Sequence, residues 1–410
     1  MSVLDQNALA AVLKTQYTQK KVNNLCYPES PVFARMAKRT DFGGSNKVVA
    51  FQYGSPQSRG FDFASGLANM NTSQYAKVTV TRAKDYAFGQ VTTEAAESAG
   101  NDAGALLNAL KREIDNAFYT ASRSIATQLF RNGGGARGQI SAGSNVGTAT
   151  VTLANVNDVV NFEVGQVLNV AATDGTSGAK RAGTVTLLSV DRDAGTLTAT
   201  GNWTAGIAAA AASDYIFQNG DFESTNSGLM GLAGWIPATA PSSGESFFGL
   251  DRSVDPTRLA GLRYTANAGG SIEETLVKCS ARLAREGASP DVAVLNPIDY
   301  GNLVTALGSK VIYDRMASSD DPTIGFDTVK LMGAKGPISI VSDLNCPSGA
   351  GWMLTMKTWS FETLKGAPRI LNLDGNDMRA SATADSYIFR IGYYGNVICD
   401  APGFNAYFQL

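Results

Sequence analysis

The spacing of hydrophobic and polar positions changes several times along this chain, and each change marks an element. From Gln74 to Thr93 (QYAKVTVTRAKDYAFGQVTT) Val78, Val80 and Arg82 alternate with Lys77, Thr79 and Thr81, the period of two that sends successive side chains to opposite faces of a strand. Lys47 to Ser55 (KVVAFQYGS) is a matching run of β-branched and aromatic residues. Between them lie Pro56-Gln57-Ser58-Arg59-Gly60 and a polar link, so the two runs predict a long two-stranded ribbon with a flexible tip. An isolated ribbon is marginal in water, and one this long needs a surface to lie on, expected from another subunit.

The period then becomes helical. Leu106, Leu107, Leu110, Ile114, Ala117, Phe118, Ala121, Ile125 and Leu129 form one stripe, avoided by Lys111, Arg112, Asp115 and Arg123, and predict a helix from Asp102 to Arg131. Asn101 or Asp102 would cap it, and Asn132-Gly133-Gly134-Gly135 would end it. At 1.5 Å per residue this is a rod of roughly 45 Å. From Gln139 to Phe217 glycine, alanine, threonine and valine dominate, in short strand-like runs (TATVTLAN, QVLNVAA, GTVTLLSV, GTLTATG) separated by turns at Asp174-Gly175 and Asp191 to Gly195. Regular strand spacing predicts a small all-β module set into the main chain path.

An α/β pattern follows. Ser271-Ile272-Glu273-Glu274 is a capping box opening a helix that carries Leu276, Val277, Ser280 and Leu283 and stops at Gly287. Asp291 to Leu295 reads as a buried strand, and Asn296-Pro297 as the start of the next helix. Further strands are expected at Thr328 to Met332, Pro337 to Val341, Gly351 to Met356, Pro368 to Leu373, Ser386 to Cys399 and Phe404 to Leu410. Residues 1 to 40 keep no period and read as an extended arm.

Composition narrows the function. At 44% hydrophobic and 17% charged, 410 residues can bury one or two sizeable cores. Neither a signal peptide nor an apolar run of about 18 residues is visible, so a soluble protein made in a cytoplasm is expected, with no membrane partner. Cys26, Cys279, Cys346 and Cys399 lie far apart and read as free thiols. The chain has no histidine, which removes the Ser-His-Asp triad, the Cys-His pair and the HExxH zinc motif. Gly133 to Gly138 follows a helix and lacks phosphate-loop spacing, so it reads as a hinge. Asp320-Asp321 and Asp374 to Asp377 lack the glutamate of a calcium loop, and Glu273-Glu274 suit a helix N-terminus. No catalytic, cofactor or metal site converges, and no enzyme is expected.

The formal net charge of -2 does not suit a free nucleic-acid binder. The first forty residues differ: Lys14, Lys20, Lys21, Arg35, Lys38 and Arg39 outweigh Asp5 and Glu29, a local charge of +4. Such an arm suits a surface that neutralises phosphate, and equally a solvated arm without a partner.

The order of parts resembles the Hong Kong 97-type major capsid proteins of tailed phages. The matching pieces are the YAKVTVTRAKDYAFGQVTTEA ribbon, the ALLNALKREIDNAFYTASRSIATQLF helix, DVAVLNPIDYGNLVTALG, and the closing YIFRIGYYGNVICDAPGFNAYFQL. They span nearly the whole chain outside the β module. The resemblance implies an α+β capsid fold with an N-terminal arm (1–46), an E-loop ribbon (47–93), a spine helix with part of the P-domain (94–138), the inserted β module (139–219), an A-domain with P-domain segments (220–366) and terminal strands (367–410). It implies a subunit that assembles with itself as pentamers and hexamers into an icosahedral shell around double-stranded DNA, in a virion formed in a bacterial cytoplasm. A scaffold protein, a portal and a decoration or cement protein are the implied partners. Many members carry a fused N-terminal scaffold; this chain reaches the ribbon by Lys47, so a separate one is expected. No motif assigns the lysine–asparagine crosslink of some relatives. Within this frame Arg59, Gly60, Phe61, Asp62 and Phe63 are expected to lock neighbouring subunits together, because nothing nearby offers the two rings a core. Lys14, Lys20, Lys21, Arg35, Lys38 and Arg39 are expected to face packaged DNA. An encapsulin-type compartment shell is the rival of the same fold, and a β-rich surface or carbohydrate-binding protein the rival of another class.

Overall fold

The computed structural model describes residues 30–93, 103–222, 228–265, 270–307, 313–314, 328–372, 375–381 and 383–410. Ser30 caps the short helix α1 (Pro31–Arg35), whose first position is proline. Val32, Phe33, Met36 and Phe42 enter the central core, so from Ser30 onward the chain is packed and does not form the expected extended arm. A serine–proline pair in an aperiodic stretch was a helix start. Strand β1 (Ala37–Arg39) follows, then β2 (Asn46–Gly54) and β3 (Gln74–Thr81), which pair antiparallel, with the helical turn α2 (Phe63–Ala68) between them. The alternating run expected to be one strand breaks at Arg82: β4 (Ala83–Thr92) leaves the ribbon for another sheet.

The long helix α3 runs from Ala103 to Leu129, about 40 Å. Its proposed caps, Asn101 and Asp102, lie outside the described residues. Ile114, Ala117, Phe118, Ala121, Ile125 and Leu129 are buried, as the stripe requires. After it, β5 (Gly138–Gln139), β6 (Thr150–Thr152), β7 (Val167–Ala171), β8 (Val185–Asp191), β9 (Thr196–Ala199) and β10 (Tyr215–Gln218) form a six-stranded sheet in the order β5-β10-β7-β8-β9-β6. Leu153, Phe162, Leu168, Leu187, Trp203 and Ile216 are among the residues of its own apolar core. Its first and last strands are paired, Gln139 opposite Tyr215, so the chain enters and leaves this sheet at one place.

A seven-stranded sheet forms the α/β body. It takes β11 (Leu262–Thr265), β12 (Val292–Leu295), β13 (Tyr313–Asp314), β14 (Thr328–Gly333), β15 (Gly336–Ser342) and β16 (Ala350–Leu354), with α4 (Ile272–Arg285) and α5 (Pro297–Leu307) packed against it. The serine half of the capping box forms as read, Ser271 Oγ accepting the Glu274 N–H at 3.1 Å, while the Glu274 carboxylate pairs with Lys278. Asn296 Oδ1 likewise accepts the Ile298 N–H at 3.0 Å.

The chain then crosses to the third sheet through β17 (Trp359–Thr363), β18 (Arg369–Ile370), β19 (Met378–Ala380) and β20 (Ser386–Cys399), and returns to the seven-stranded sheet as β21 (Ala406–Gln409). Fourteen-residue β20 organises this third sheet. One edge pairs with β4 from Ser386 to Gly395, and the other takes β19, β18 and β17 in turn, with β1 parallel to β17. Helix α3 lies across it, packing Ile114 and Phe118 on Phe389, Ile391 and Ala87. Gly89 opposes Phe389, and a Cβ there would stand 1.8 Å from the ring, so the strand needs glycine at that point. A central core that includes Trp235, Trp352 and Trp359 joins the ribbon base, the end of α3 and both large sheets. Cys279, Cys346 and Cys399 are buried free thiols. No helix among the described residues is long and apolar enough to cross a membrane.

Candidate assembly interface

The link between β2 and β3, expected to be flexible, is a built structure. Asp62 caps α2, its two carboxylate oxygens accepting the Ser65 N–H at 2.9 Å and the Ser65 hydroxyl at 2.6 Å. These bonds hold the Asp62 carboxyl below its ordinary pKa. Asn71 Oδ1 accepts the Gln57 N–H at 2.6 Å, Ser58 Oγ accepts the Asn71 N–H at 3.1 Å, and Asn69 Nδ2 donates to the Arg59 carbonyl at 2.9 Å. Gly60 passes so close to α2 that a Cβ would stand 2.4 Å from the Gly66 nitrogen.

This tied loop holds its apolar side chains outward. Phe61 is 99% exposed and Phe63 87%. Leu67, Met70 and Tyr75 join them, and sequence reasoning missed all three. The signal was present, since Phe63, Leu67 and Met70 fall at i, i+4 and i+7, but the polar residues between them hid it. Arg59 and Asp62, expected to offer charges to a partner, are engaged locally. The Arg59 guanidinium lies 4.9 Å from the Phe61 ring centroid, and Asp62 is the cap.

The ribbon base corrects the expectation that the whole ribbon lies mainly on another subunit. Val49, Phe51, Val78 and Val80 are buried in the chain's own core. Asn396 Nδ2 donates to the Thr81 carbonyl at 2.9 Å, and the Arg258 guanidinium to the Tyr53 carbonyl. Period-two alternation marks one face of the ribbon as apolar but does not say whose core it enters. The tip alone projects.

Of the basic residues expected to face DNA, Lys14, Lys20 and Lys21 lie outside the described residues. Arg35 and Lys38 are on the surface, where Lys38 Nζ donates to the Ala34 carbonyl at 3.1 Å and sits 5.0 Å from the Phe33 ring centroid. Arg39, with about half of its side chain exposed, also reaches inward: it lies 3.8 Å from the buried carboxylate of Glu362, which pairs with Lys47 as well. Burial alone would lower the Lys47 pKa, but hydrogen bonds to Glu362 and Asp41 outweigh it and raise it. Arg39 and Lys47 therefore compensate a charge taken out of water, a task the sequence did not suggest. The described chain begins at a similar anchor, where Ser30 Oγ donates to Asp343 Oδ2 at 3.0 Å in the interior.

No protein-family model matches the chain, and no curated protein matches its sequence. Solved structures do resemble it. A chain of the cyanophage A-1(L) capsid asymmetric unit aligns with 93% of this chain and 92% of its own length at 13% identity, with a TM-score of 0.51. A chain of Mycobacterium phage Bobi aligns over 93% and 90% at 10% identity and TM-score 0.41. One from the holo-SrpI encapsulin complex of Synechococcus elongatus PCC 7942 aligns over 93% and 88% at 9% identity and TM-score 0.43. At such identities the likeness is one of fold, and on the first of these alignments this chain has the fold of a phage capsid chain along nearly its whole length.

Proposed function

We propose that this chain is the major capsid protein of a tailed phage, assembling as pentamers and hexamers into an icosahedral shell around a double-stranded DNA genome. The carrying observation is the capsid fold it shares, over 93% of its length, with the cyanophage chain. In this reading the 47–93 region supplies the E-loop, α3 the spine, the α/β body the axial A-domain, and residues 139–219 a module set into the fold. Phe61 and Phe63 gain cover on a neighbouring subunit. Burial contributes roughly 1.5–3 kcal/mol for each such side chain, and a shell repeats the contact at every subunit. Scaffold, portal and decoration proteins belong to the same reading.

The test is to purify the expressed chain and examine it by negative-stain microscopy, alone and with its phage's other assembly genes, together with a Phe61→Ser/Phe63→Ser variant. Closed shells that protect DNA from nuclease support the proposal; shells filled with a protein cargo and no DNA would identify an encapsulin-like compartment instead. The double variant is expected to fold as the parent does by circular dichroism, since both rings are exposed in the subunit, but to give fewer shells or shells of lower melting temperature. Shells of unchanged yield and melting temperature would remove the tip from the interface.

A further inference from the structure

The third sheet, built on β20, has two faces, and α3 covers one of them. Ala87, Phe389 and Ile391 point toward the helix. The intervening side chains of β4 and β20 point away from it, where Tyr86, Phe88, Arg390 and Tyr394 meet Arg369, Leu371 and Arg379 around a groove of about 510 Å³. Phe88 is 63% exposed. Tyr86 stacks on Phe88 with ring centroids 6.4 Å apart and meets Tyr394 edge-on at 5.9 Å, so the aromatic floor is preformed. Among the described residues no carboxylate lines the groove, and neither Arg369 nor Arg390 has one within ion-pair distance. In a chain of net charge -2 this is a local concentration of positive charge beside exposed apolar rings.

We propose that this outward face is a docking surface for a segment of a partner protein that carries both carboxylates and large apolar side chains. Arginine forks take carboxylates in paired, charge-assisted hydrogen bonds. Arginine with aromatic residues is also the composition that dominates binding energy at protein interfaces. Duplex DNA would satisfy the arginines but set phosphates against Phe88 and Leu371, leaving the apolar part of the groove without a partner. A segment that alternates acidic and apolar residues covers both. The assignment goes beyond the shell reading and does not depend on it, because the groove belongs to a single subunit.

The test uses the purified full-length chain and three fluorescent probes: a short peptide alternating glutamate and leucine, the same peptide with serine for leucine, and a short DNA duplex. The glutamate–leucine peptide should bind most tightly and weaken as salt rises. Arg369→Glu/Arg390→Glu should lower its affinity by about tenfold or more, the loss of roughly one charge-assisted contact. Phe88→Ser should weaken the leucine peptide and leave the serine peptide unchanged. Arg390→Gln, a neutral change on an exposed side chain, replaces the double variant if charge reversal unfolds the chain by circular dichroism. Equal binding of the two peptides, or affinity indifferent to all these substitutions, would overturn the proposal. Preferential binding of the duplex, lost on charge reversal, would overturn it too and make the face a phosphate-binding one.

Discussion

Buried polar residues hold this fold at its joints, and Asp343 is the one whose chemistry can be read most directly. It accepts from Ser30 Oγ at 3.0 Å and from the Asn345 N–H at 3.0 Å, yet burial pushes its carboxyl up to about 6. A raised carboxyl binds its proton more tightly in the folded chain than in the unfolded one. Stability from this group is therefore full below the unfolded value near 3.8 and is lost as pH rises toward 6, at most about 3 kcal/mol for two pK units. Asp343→Asn stays neutral and keeps an acceptor for Asn345. The melting temperature of the parent minus that of the variant should fall between pH 4 and pH 6.5; parallel curves would mean that Asp343 titrates as an exposed aspartate does. Asn405 acts at another joint with no charge. Its Oδ1 accepts from the Thr355 N–H and Trp359 Nε1, and its Nδ2 donates to Thr358 Oγ1 and the Ala401 carbonyl, tying the two large sheets where the chain passes between them. Asn405→Leu should cost several kcal/mol in denaturant unfolding, because it strands these partners in a dry site. A loss under about 1 kcal/mol would show that they find new partners. Neither role was legible in the sequence, where Asn405 fell inside the strand expected from Phe404 to Leu410 and Asp343 stood in no motif.

The elements were far more legible than their destinations. The stripe on α3, the capping box of α4 and the strand runs of the β module all form close to where the pattern places them, because each is set by neighbours within a turn or a pleat. The module's first and last strands in chain order, Gly138–Gln139 and Tyr215–Gln218, were not legible, because they lie at its junctions with the rest of the chain. Those strands show how the module is attached. Gln139 and Tyr215 are Cα partners, so the two ends of residues 139–219 are already adjacent. Its contacts with α3 and the turn after it are mainly polar, Arg131 with Asp158 at 2.8 Å, Arg123 with Glu163 at 2.5 Å, and Thr127 with Asn161 at 3.3 Å, and one small apolar cluster of Ala136, Ala171, Phe217 and Phe222 spans the junction. Replacing 139–219 by a short glycine-serine linker should thus leave a chain that unfolds cooperatively by circular dichroism, with a melting temperature lower by only a few degrees for a loss of roughly 1–2 kcal/mol. Aggregation, or a non-cooperative melt, would mean that the module and the body share one core.

At the scale of the whole molecule, the proposed shell asks for a part that reaches another copy, and the exposed tip, held by its own hydrogen bonds beside a body with its own cores, is the part this reading assigns to that task. The base of the ribbon is held by the chain's own core, which in the shell reading lowers the ordering entropy lost when the tip docks on a neighbour. If the shell reading holds, the basic N-terminal segment is expected to face the lumen, against phosphate. An amine reagent too large to penetrate intact particles should then spare Lys14, Lys20 and Lys21 and modify them only after the particles are opened. Rapid modification of all three in intact particles would put the segment outside.

By itself the sequence determined the longer elements, their order and the exposure of Phe61 and Phe63, since periodicity, caps and the absence of a local apolar partner are all short-range properties, while the short helices α1 and α2 fell in stretches it read as an extended arm and a flexible link. Only the tertiary structure decided where each element goes. The run from Gln74 to Thr93 is strand-like throughout, yet its first half pairs with β2 and its second with residues 386–395, some three hundred positions away, and the buried phase slips between them, from Val78 and Val80 to Ala83 and Ala87. A strand's alternation is the same whichever partner it meets, so the phase slip at Thr81-Arg82 can mark a break but cannot name either partner or assign the apolar face of the ribbon base to its own subunit. The same holds for Arg39: its charge is visible in the sequence, but its commitment to the buried Glu362 depends on β1 lying beside β17, a pairing that exists only in the folded chain.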